Sequence, residues 1–333
     1  MIFDTYTQKI EELIKLTKTK KEDIFLFDNS IYKNEFENVF SFYQEALERN
    51  KIYGIDKSYF FFNNYKSINA KARKENDVYY VSVNMGTIVH LINMYLEKDN
   101  LLDENKHKAI IEFEKLLDTS IQNLMYQNVV HFTFYHELAH LIQNSEFLLS
   151  SLNEIVDNES KFNIENHILE LDADEFSALC IGAHLFDYAD RIFGKKYNAK
   201  HFEILITILG SSIFLYLNKF QSNTAVIYYK EFIHPHPMIR ITNIMFTLTR
   251  YCSSLLVHKG IKVSMSEKDI YLKILSFSEQ ISVKVLDTNN WTTDYLKVLN
   301  DNYQNIIDYF KEIKEKKDNN VNLAVSKRNS LLK

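Results

Sequence analysis

Residues that interrupt helices are scarce in this chain: of 333 residues, only 6 are Gly and 2 are Pro. Apolar residues recur at spacings of three and four along much of the sequence, which is the spacing of one face of a helix. The sequence therefore predicts a mainly α fold. Aromatic residues are plentiful, and the hydrophobic content of 46% excludes a disordered chain and is sufficient for a large buried core.

Several functional classes are excluded by what is missing. The net charge is −5 and no long basic cluster occurs, so a nucleic-acid partner is not expected. The longest apolar helical stretch, 204–217, is too short for a bilayer crossing and predicts a buried helix, so no membrane span is expected. No leader pattern opens the sequence, and its two cysteines, Cys180 and Cys252, lie in apolar helical contexts typical of buried free thiols. We therefore expect a cytoplasmic protein.

Residues 136–140 form the most informative motif, His-Glu-Leu-Ala-His. Positions four apart lie on one face of a helix, so His136 and His140 can present both imidazoles to a single metal ion. Glu137 lies beside that face, where it can accept a proton from the water that the metal activates. The flanking residues are apolar at helical spacing and contain no Gly or Pro, as a buried active-site helix requires.

A catalytic zinc ion usually takes three protein ligands and leaves one position to water. Glu170 and Asp174 follow thirty residues later, four apart on one predicted helical face. We predict Glu170 as the third ligand and Asp174 as the hydrogen-bond acceptor that fixes the tautomer of His136. The metzincin continuation is excluded because it needs Gly at 143 and His at 146. Three other side chains remain alternative ligands: His167, Asp172 and Glu146.

Both prolines of the chain follow a histidine, in the run His234-Pro235-His236-Pro237. Proline keeps the preceding residue out of helical geometry and suits the first turn of a helix, so this run predicts an extended segment that leads into a helix over 238–256. A histidine held there, with Arg240 one turn into the helix, can direct a donor at an oxyanion that forms at the metal. His234 and His236 both fit this role.

Taken together, the three motifs resemble the gluzincin zinc peptidases of the CAAX-prenyl-protease, HtpX and Oma type. Those enzymes carry H-E-x-x-H, then E-x-x-A-D, then H-P-x-x-x-x-R-[IV], and the corresponding residues here, in the same order, are His136, Glu137 and His140, then Glu170, Ala173 and Asp174, then His234, Pro235, Arg240 and Ile241. The resemblance implies a zincin-like helical core, Zn²⁺ as cofactor, Glu137 as general base and His234 as transition-state donor. Most enzymes of this type are embedded in membranes, whereas this chain offers no convincing span.

A second resemblance is to the soluble phage-exclusion peptidases of the Lit type, which are cytosolic H-E-x-x-H enzymes that cleave a translation factor. The size of the chain and the lack of a leader fit this comparison. The expected function is therefore a soluble intracellular zinc metalloendopeptidase that acts on a protein or peptide substrate, in phage defence or in quality control. The alternative is a non-catalytic zinc-binding structural or sensing protein on the same fold, which would close the metal with four protein ligands. The substrate and the oligomeric state remain open.

The strongest strand signals lie between residues 58 and 84, where we predict a small antiparallel sheet. In gluzincins an edge strand ahead of the active-site helices pairs with the substrate backbone. By that resemblance, the strand over 78–84 is the predicted substrate strand, through Val78, Tyr80, Val81, Val83 and Asn84. We divide the chain into an N-terminal helical and hairpin region (1–76), a zincin-like metallopeptidase core (77–257) and a C-terminal helical extension (258–333), whose polar last fifteen or so residues are expected to be disordered.

Overall fold

The computed structural model describes residues 2–99, 101–143, 162–220, 226–263, 266–286, 294–317 and 323–331. Within them the chain is mainly helical and carries a small three-stranded sheet, which confirms the predicted fold class at this level. The helices, in chain order, are α1 (Ile2–Leu16), α2 (Lys33–Arg49), α3 (Met85–Leu91, continued by a π-helical turn, Ile92–Leu96), α4 (Lys108–Glu114), α5 (Ile121–Gln143), α6 (Ile164–Phe193), α7 (Ala199–Asn218), α8 (Pro237–His258), α9 (Glu267–Leu286), α10 (Tyr295–Lys317) and α11 (Ala324–Leu331). The strands are β1 (Ser58–Asn63), β2 (Ala70–Glu75) and β3 (Val78–Asn84).

The sheet is mixed, so the prediction of an antiparallel sheet is wrong. Its strand order is β1-β3-β2, with β1 parallel and β2 antiparallel to β3. A tight turn joins β2 to β3, and Asn76 adopts a left-handed conformation there (φ 54°), which Asn tolerates better than most residues. Residues 64–69 connect β1 to β2. Because β1 and β2 each pair with β3, they lie on opposite sides of it.

Strand β3 is the central strand, and its prediction as the substrate-binding edge is also wrong. Its backbone pairs with β1 on one side and with β2 on the other, so none of the five predicted residues, Val78, Tyr80, Val81, Val83 and Asn84, offers a free edge to a peptide. The apolar strand takes the buried centre, and the charged sequence Ala-Lys-Ala-Arg-Lys-Glu of β2 takes the edge, as is usual in natural sheets. The sheet also crosses the predicted boundary between residues 76 and 77.

Helix α5 lies at the centre of the fold, between the sheet and helices α6 and α7. Helix α4 ends at Glu114, and α5 runs without a break from Ile121 to Gln143. Ser120 marks the start of α5 because its Oγ accepts a hydrogen bond from the N–H of Asn123, as an N-cap residue does. Almost every residue from Leu124 to Gln143 is buried, which holds the metal motif in the core.

Helix α7 is, among the described residues, the one helix long and apolar enough to cross a membrane, yet 83% of its apolar window is buried in the fold. It packs against α5, α8 and α9, in agreement with the predicted buried helix. Of the two free cysteines, Cys252 is buried and Cys180 is half-buried.

The C-terminal region differs from the prediction of a disordered tail. Helix α11 packs against α5 and α6, and Leu323, Ala324 and Val325 are buried. Apart from the exposed Leu331, its other side chains are polar and mostly exposed, so the sequence carried little apolar signal for this helix.

Candidate metal centre

Helix α5 brings the two imidazoles of the motif together. His136 and His140 lie one helical turn apart, both are buried, and their Nε2 atoms are 3.1 Å apart with the ring planes at 89°. Two ring nitrogens this close together can bind the same metal ion. This is the arrangement that the four-residue spacing predicts.

Helix α6 adds the Glu170 carboxylate to this pair. Glu170 Oε2 lies 3.3 Å from His136 Nε2, and Oε1 lies 3.4 Å from His140 Nε2. One ligand atom from each residue lies within 4.8 Å of the others, and all three side chains are buried. The structure therefore brings the three predicted ligands together as a group that can hold a metal ion.

The donor set fits zinc in both chemistry and size. Two neutral imidazoles and one carboxylate are ligands of catalytic zinc, with metal–ligand distances of about 2.0–2.2 Å. In a tetrahedron with such distances, neighbouring ligand atoms are about 3.3 Å apart. The two Nε2 atoms are 3.1 Å apart, and Glu170 approaches them with different oxygens, Oε2 at 3.3 Å from His136 and Oε1 at 3.4 Å from His140. These separations are close to the tetrahedral value, so the two imidazoles and the carboxylate surround a position that suits an ion of this size.

Asp174 holds the outer face of His136, as predicted. Its Oδ1 lies 3.1 Å from His136 Nδ1, one turn along α6 from Glu170. Burial lowers the pKa of His136, but its bonds to Asp174 and Glu170 outweigh burial and raise that pKa to about 10. The two carboxylates thus make this position strongly attractive to a cation. A metal at Nε2 would replace the proton there while Nδ1 keeps its bond to Asp174.

Arg240 binds Asp174 and also lies beside the ligand group, with its Nη2 3.8 Å from Glu170 Oε2, so its predicted role as an oxyanion donor stays a prediction. Its Nε and Nη2 atoms bind the two carboxylate oxygens of Asp174 at 2.9 and 2.7 Å, a two-point arrangement that uses the planar guanidinium fully. Burial raises the pKa of Asp174, but the charge of Arg240 together with the hydrogen bonds from Arg240 and His136 outweighs burial, and the net shift of that pKa is downward. Arg240 thereby keeps the carboxylate ionised and oriented toward His136.

His234 and His236 occupy different positions, which distinguishes the two candidates for the donor. His234 Nδ1 lies 3.4 Å from Glu170 Oε1, beside the ligand group. His236 is fully buried, and its Nδ1 accepts a hydrogen bond from the N–H of Met238 at 3.0 Å, so it caps the start of α8. Burial lowers the pKa of His236 to about 3, which keeps this cap neutral. The catalytic assignment of His236 is therefore corrected to a helix cap, with Pro237 in the first helical turn as predicted.

His234 also influences the third ligand electrostatically. Burial raises the pKa of Glu170, but the charge of His234 and the hydrogen bonds from the three surrounding histidines reverse the effect and hold that pKa well below its usual range. Glu170 is therefore ionised, as a metal ligand must be.

The alternative ligands have other partners. His167 Nε2 donates to the Phe232 carbonyl at 2.8 Å, and its Nδ1 lies 2.6 Å from the Tyr309 hydroxyl, so this ring supports the segment ahead of His234. Asp172 accepts hydrogen bonds from Gln143 and from the backbone of Ala324. Glu146 lies outside the described residues.

Gln143 is a site residue that the sequence analysis did not identify. Its Oε1 lies 2.9 Å from His140 Nδ1, the ring atom opposite the metal-facing Nε2. The only signal in the sequence was its position three residues after His140, which places both side chains on one face of α5.

Comparison of the chain with protein-family models, with curated proteins and with solved structures finds no match.

Proposed function

We propose that this chain is a zinc-dependent metalloendopeptidase, with His136, His140 and Glu170 as the metal ligands. The main support for the proposal is the close approach of these three buried ligand atoms. The outer nitrogen of each imidazole also has a hydrogen-bond acceptor, Asp174 for His136 and Gln143 for His140. Three ligands, rather than four, are typical of a catalytic zinc site with one position left for water. Zinc held there would supply Lewis acidity that brings the pKa of a coordinated water to near neutrality.

Glu137 is the proposed general base. It follows His136 in α5, its side chain is 97% buried, and it belongs to the motif in which this glutamate accepts the proton of the attacking water. Burial and the charge of Arg73 lower the pKa of Lys71, and the carboxylate of Glu137 opposes them. Glu137 therefore lies near edge strand β2, the side from which a peptide can approach.

His234 is the proposed donor to the carbonyl oxygen that becomes negative during attack. Its position beside Glu170, on the segment that leads into α8, supports this role. The cap formed by His236 and the contact between His167 and Phe232 hold this segment at both ends. A rigid donor is favourable because no reorganisation is then needed as charge develops.

Strand β2 is the proposed substrate strand in place of β3. Within the described residues it pairs only with β3, so its outer edge can add an extended peptide by β-augmentation. Helix α5 contacts β2 directly, which brings that edge close to the metal ligands. An unfolded or extended segment of a protein is therefore the substrate form that this site fits best.

The direct test compares the parent protein with Glu137→Gln on an unstructured protein substrate such as casein. Loss of a general base lowers the rate by a factor of about 10²–10⁴, so we expect that loss with unchanged zinc content. The matched control is Glu267→Gln, an acid of α9 that pairs with Arg250 and should have no effect. Cleavage by Glu137→Gln at the parental rate would refute the peptidase proposal.

The proposed setting is the cytoplasm, in phage defence or in quality control, as the resemblance to the Lit type suggests. Proteomic comparison of cells that express the parent or Glu137→Gln would identify the cleaved protein. A translation factor among the products would favour phage defence. A broad set of unfolded proteins would favour quality control.

A further inference from the structure

The outer face of ligand His140 is held by Gln143. Because an amide oxygen only accepts hydrogen bonds, the contact of 2.9 Å requires the proton of His140 to reside on Nδ1. The lone pair of Nε2 then points toward His136 and Glu170. Gln143 thus fixes the tautomer of His140 in the same way that Asp174 fixes His136.

Gln143 is itself held by two residues of α6. Its Nε2 donates to the Leu169 carbonyl at 2.9 Å and to Asp172 Oδ2 at 3.0 Å, and the side chain is fully buried. Both amide hydrogens are therefore engaged, and turning the amide over would break both bonds. The oxygen that faces His140 is fixed by these two acceptors.

Asp172 is held in turn by the C-terminal segment. The backbone N–H of Ala324, the first residue of α11, donates to Asp172 Oδ2 at 2.7 Å. Lys317 Nζ, at the end of α10, lies 3.4 Å from Asp172 Oδ1. A fully buried carboxylate is costly unless such donors surround it, so the position of Asp172 depends on the docking of this segment.

A separate contact links α11 to α5 at the same place. Lys327 Nζ donates to the Ile142 carbonyl at 2.6 Å, next to Gln143 and at the end of the helix that carries the metal motif. The C-terminal segment therefore contacts both the last turn of α5 and the carboxylate that holds Gln143.

We propose that Gln143 and Asp172 are positioning residues for His140, and that α11 completes this network, so that docking of the C-terminal helix and zinc affinity are coupled. The proposal rests on the metal site proposed above. Partners of metal-bound histidines typically contribute a factor of about 10–100 to metal affinity. Because coupling is reciprocal, zinc should stabilise the docking of α11 by the same factor by which α11 strengthens zinc binding.

The first experiment measures zinc affinity of the full-length protein by competition with a chromogenic chelator. Gln143→Leu removes the acceptor for His140 and should weaken zinc binding about 10–100-fold. In the exchanged pair, Gln143→Glu with Asp172→Asn, the new carboxylate at position 143 accepts from His140, and the new amide at position 172 donates to that carboxylate. This pair should recover most of the lost zinc affinity. A merely structural role for Gln143 predicts no such recovery.

A second variant tests α11 without touching the metal ligands. Ala324→Pro deletes the N–H that binds Asp172, and proline is well tolerated at the first position of a helix. We expect about a 10-fold weaker zinc affinity. The matched control is Ser326→Ala, which changes an exposed side chain in the same helical turn, keeps every backbone N–H of α11 and should bind zinc as the parent does.

Hydrogen exchange of the unmodified protein supplies a test that does not depend on any variant folding. Zinc should slow exchange of the amides in residues 323–331. Equal exchange with and without zinc, or equal zinc affinity in the parent, Gln143→Leu and Ala324→Pro, would overturn the coupling alone. A parent protein that takes up no zinc would overturn the metal site as well, which distinguishes the two failures.

Discussion

Asp174 Oδ1 lies 3.1 Å from His136 Nδ1, the ring nitrogen opposite the Nε2 that faces His140 and Glu170. Both side chains are buried, and Arg240 binds the same carboxylate from the far side. The three residues come from α6, α5 and α8, so the packing of these helices determines the orientation of the His136 ring, a proposed metal ligand.

Substitution of Asp174 by Asn should therefore weaken zinc binding without removing a ligand. The amide is a weaker acceptor and removes the negative charge that Arg240 binds at this position, so we expect a loss of about 10–100-fold in zinc affinity. The measurement is chelator competition at pH 7.5. Asp190→Asn is the control because this acid lies on the same helix but is exposed and pairs with Lys259. Equal affinity in all three proteins would show that Asp174 does not tune the site.

Two cations on the edge strand predict a preference for acidic substrates. Lys71 and Arg73 are two positions apart in β2, so their side chains lie on the same face of the strand. Both line a cleft of about 410 Å³. Neither forms an ion pair within the described residues. A peptide paired with β2 would bring acidic side chains next to them. Cleavage sites in casein, identified by mass spectrometry, should be enriched in nearby Asp and Glu.

The double variant Lys71→Glu with Arg73→Glu should reverse this enrichment and favour basic segments. Lys74→Glu is the matched control because Lys74 lies on the opposite face of β2. Identical cleavage patterns in the double variant and the parent would argue against β2 as the substrate strand.

Stability should fall as the pH is lowered, in part through His167. Burial lowers the pKa of this ring to about 4, whereas an exposed histidine titrates near 6.5. Between these values the unfolded chain binds a proton that the folded chain does not, so the folded state loses stability as the pH falls from about 6.5 toward 4. At pH 5 this difference in proton binding lowers the free energy of unfolding by about 2 kcal/mol.

The variant His167→Gln cannot titrate and retains an amide donor for the Phe232 carbonyl. Urea unfolding without added metal should show a smaller loss of stability between pH 7.5 and pH 5 in this variant, by about 2 kcal/mol. His258→Gln serves as control because His258 is exposed at the end of α8. A variant with the parental pH dependence would contradict the assigned neutral state of His167.

The ligand group could be predicted because it depends mainly on local geometry. The spacing of His136 and His140 in α5, and of Glu170 and Asp174 in α6, fixes which side chains share a helical face. That α5 and α6 come together could also be predicted, because a metal ion needs the ligands of both helices around it. The separate positions of His234 and His236 could not be predicted, because both residues fit the extended segment ahead of α8.

Pairing of the strands could not be predicted because it depends on contacts distant in sequence. Alternation of side chains identified β3 as a strand, but its central position results from pairing with both β1 and β2. The charged residues of β2 were the available signal for an edge strand. Gln143 and α11 were missed for a related reason, since an amide and a polar helix acquire their roles only through the contacts that the fold brings together.

The most direct test of the account is X-ray absorption spectroscopy of the zinc-loaded protein, together with its zinc stoichiometry. The proposed site predicts one zinc per chain, bound by two imidazole nitrogens at about 2.0–2.1 Å, the Glu170 carboxylate and at least one oxygen from solvent. His136→Ala and Glu170→Ala should each lose this signal. A protein that binds no zinc, or a zinc closed by a fourth protein ligand such as His234, would contradict it.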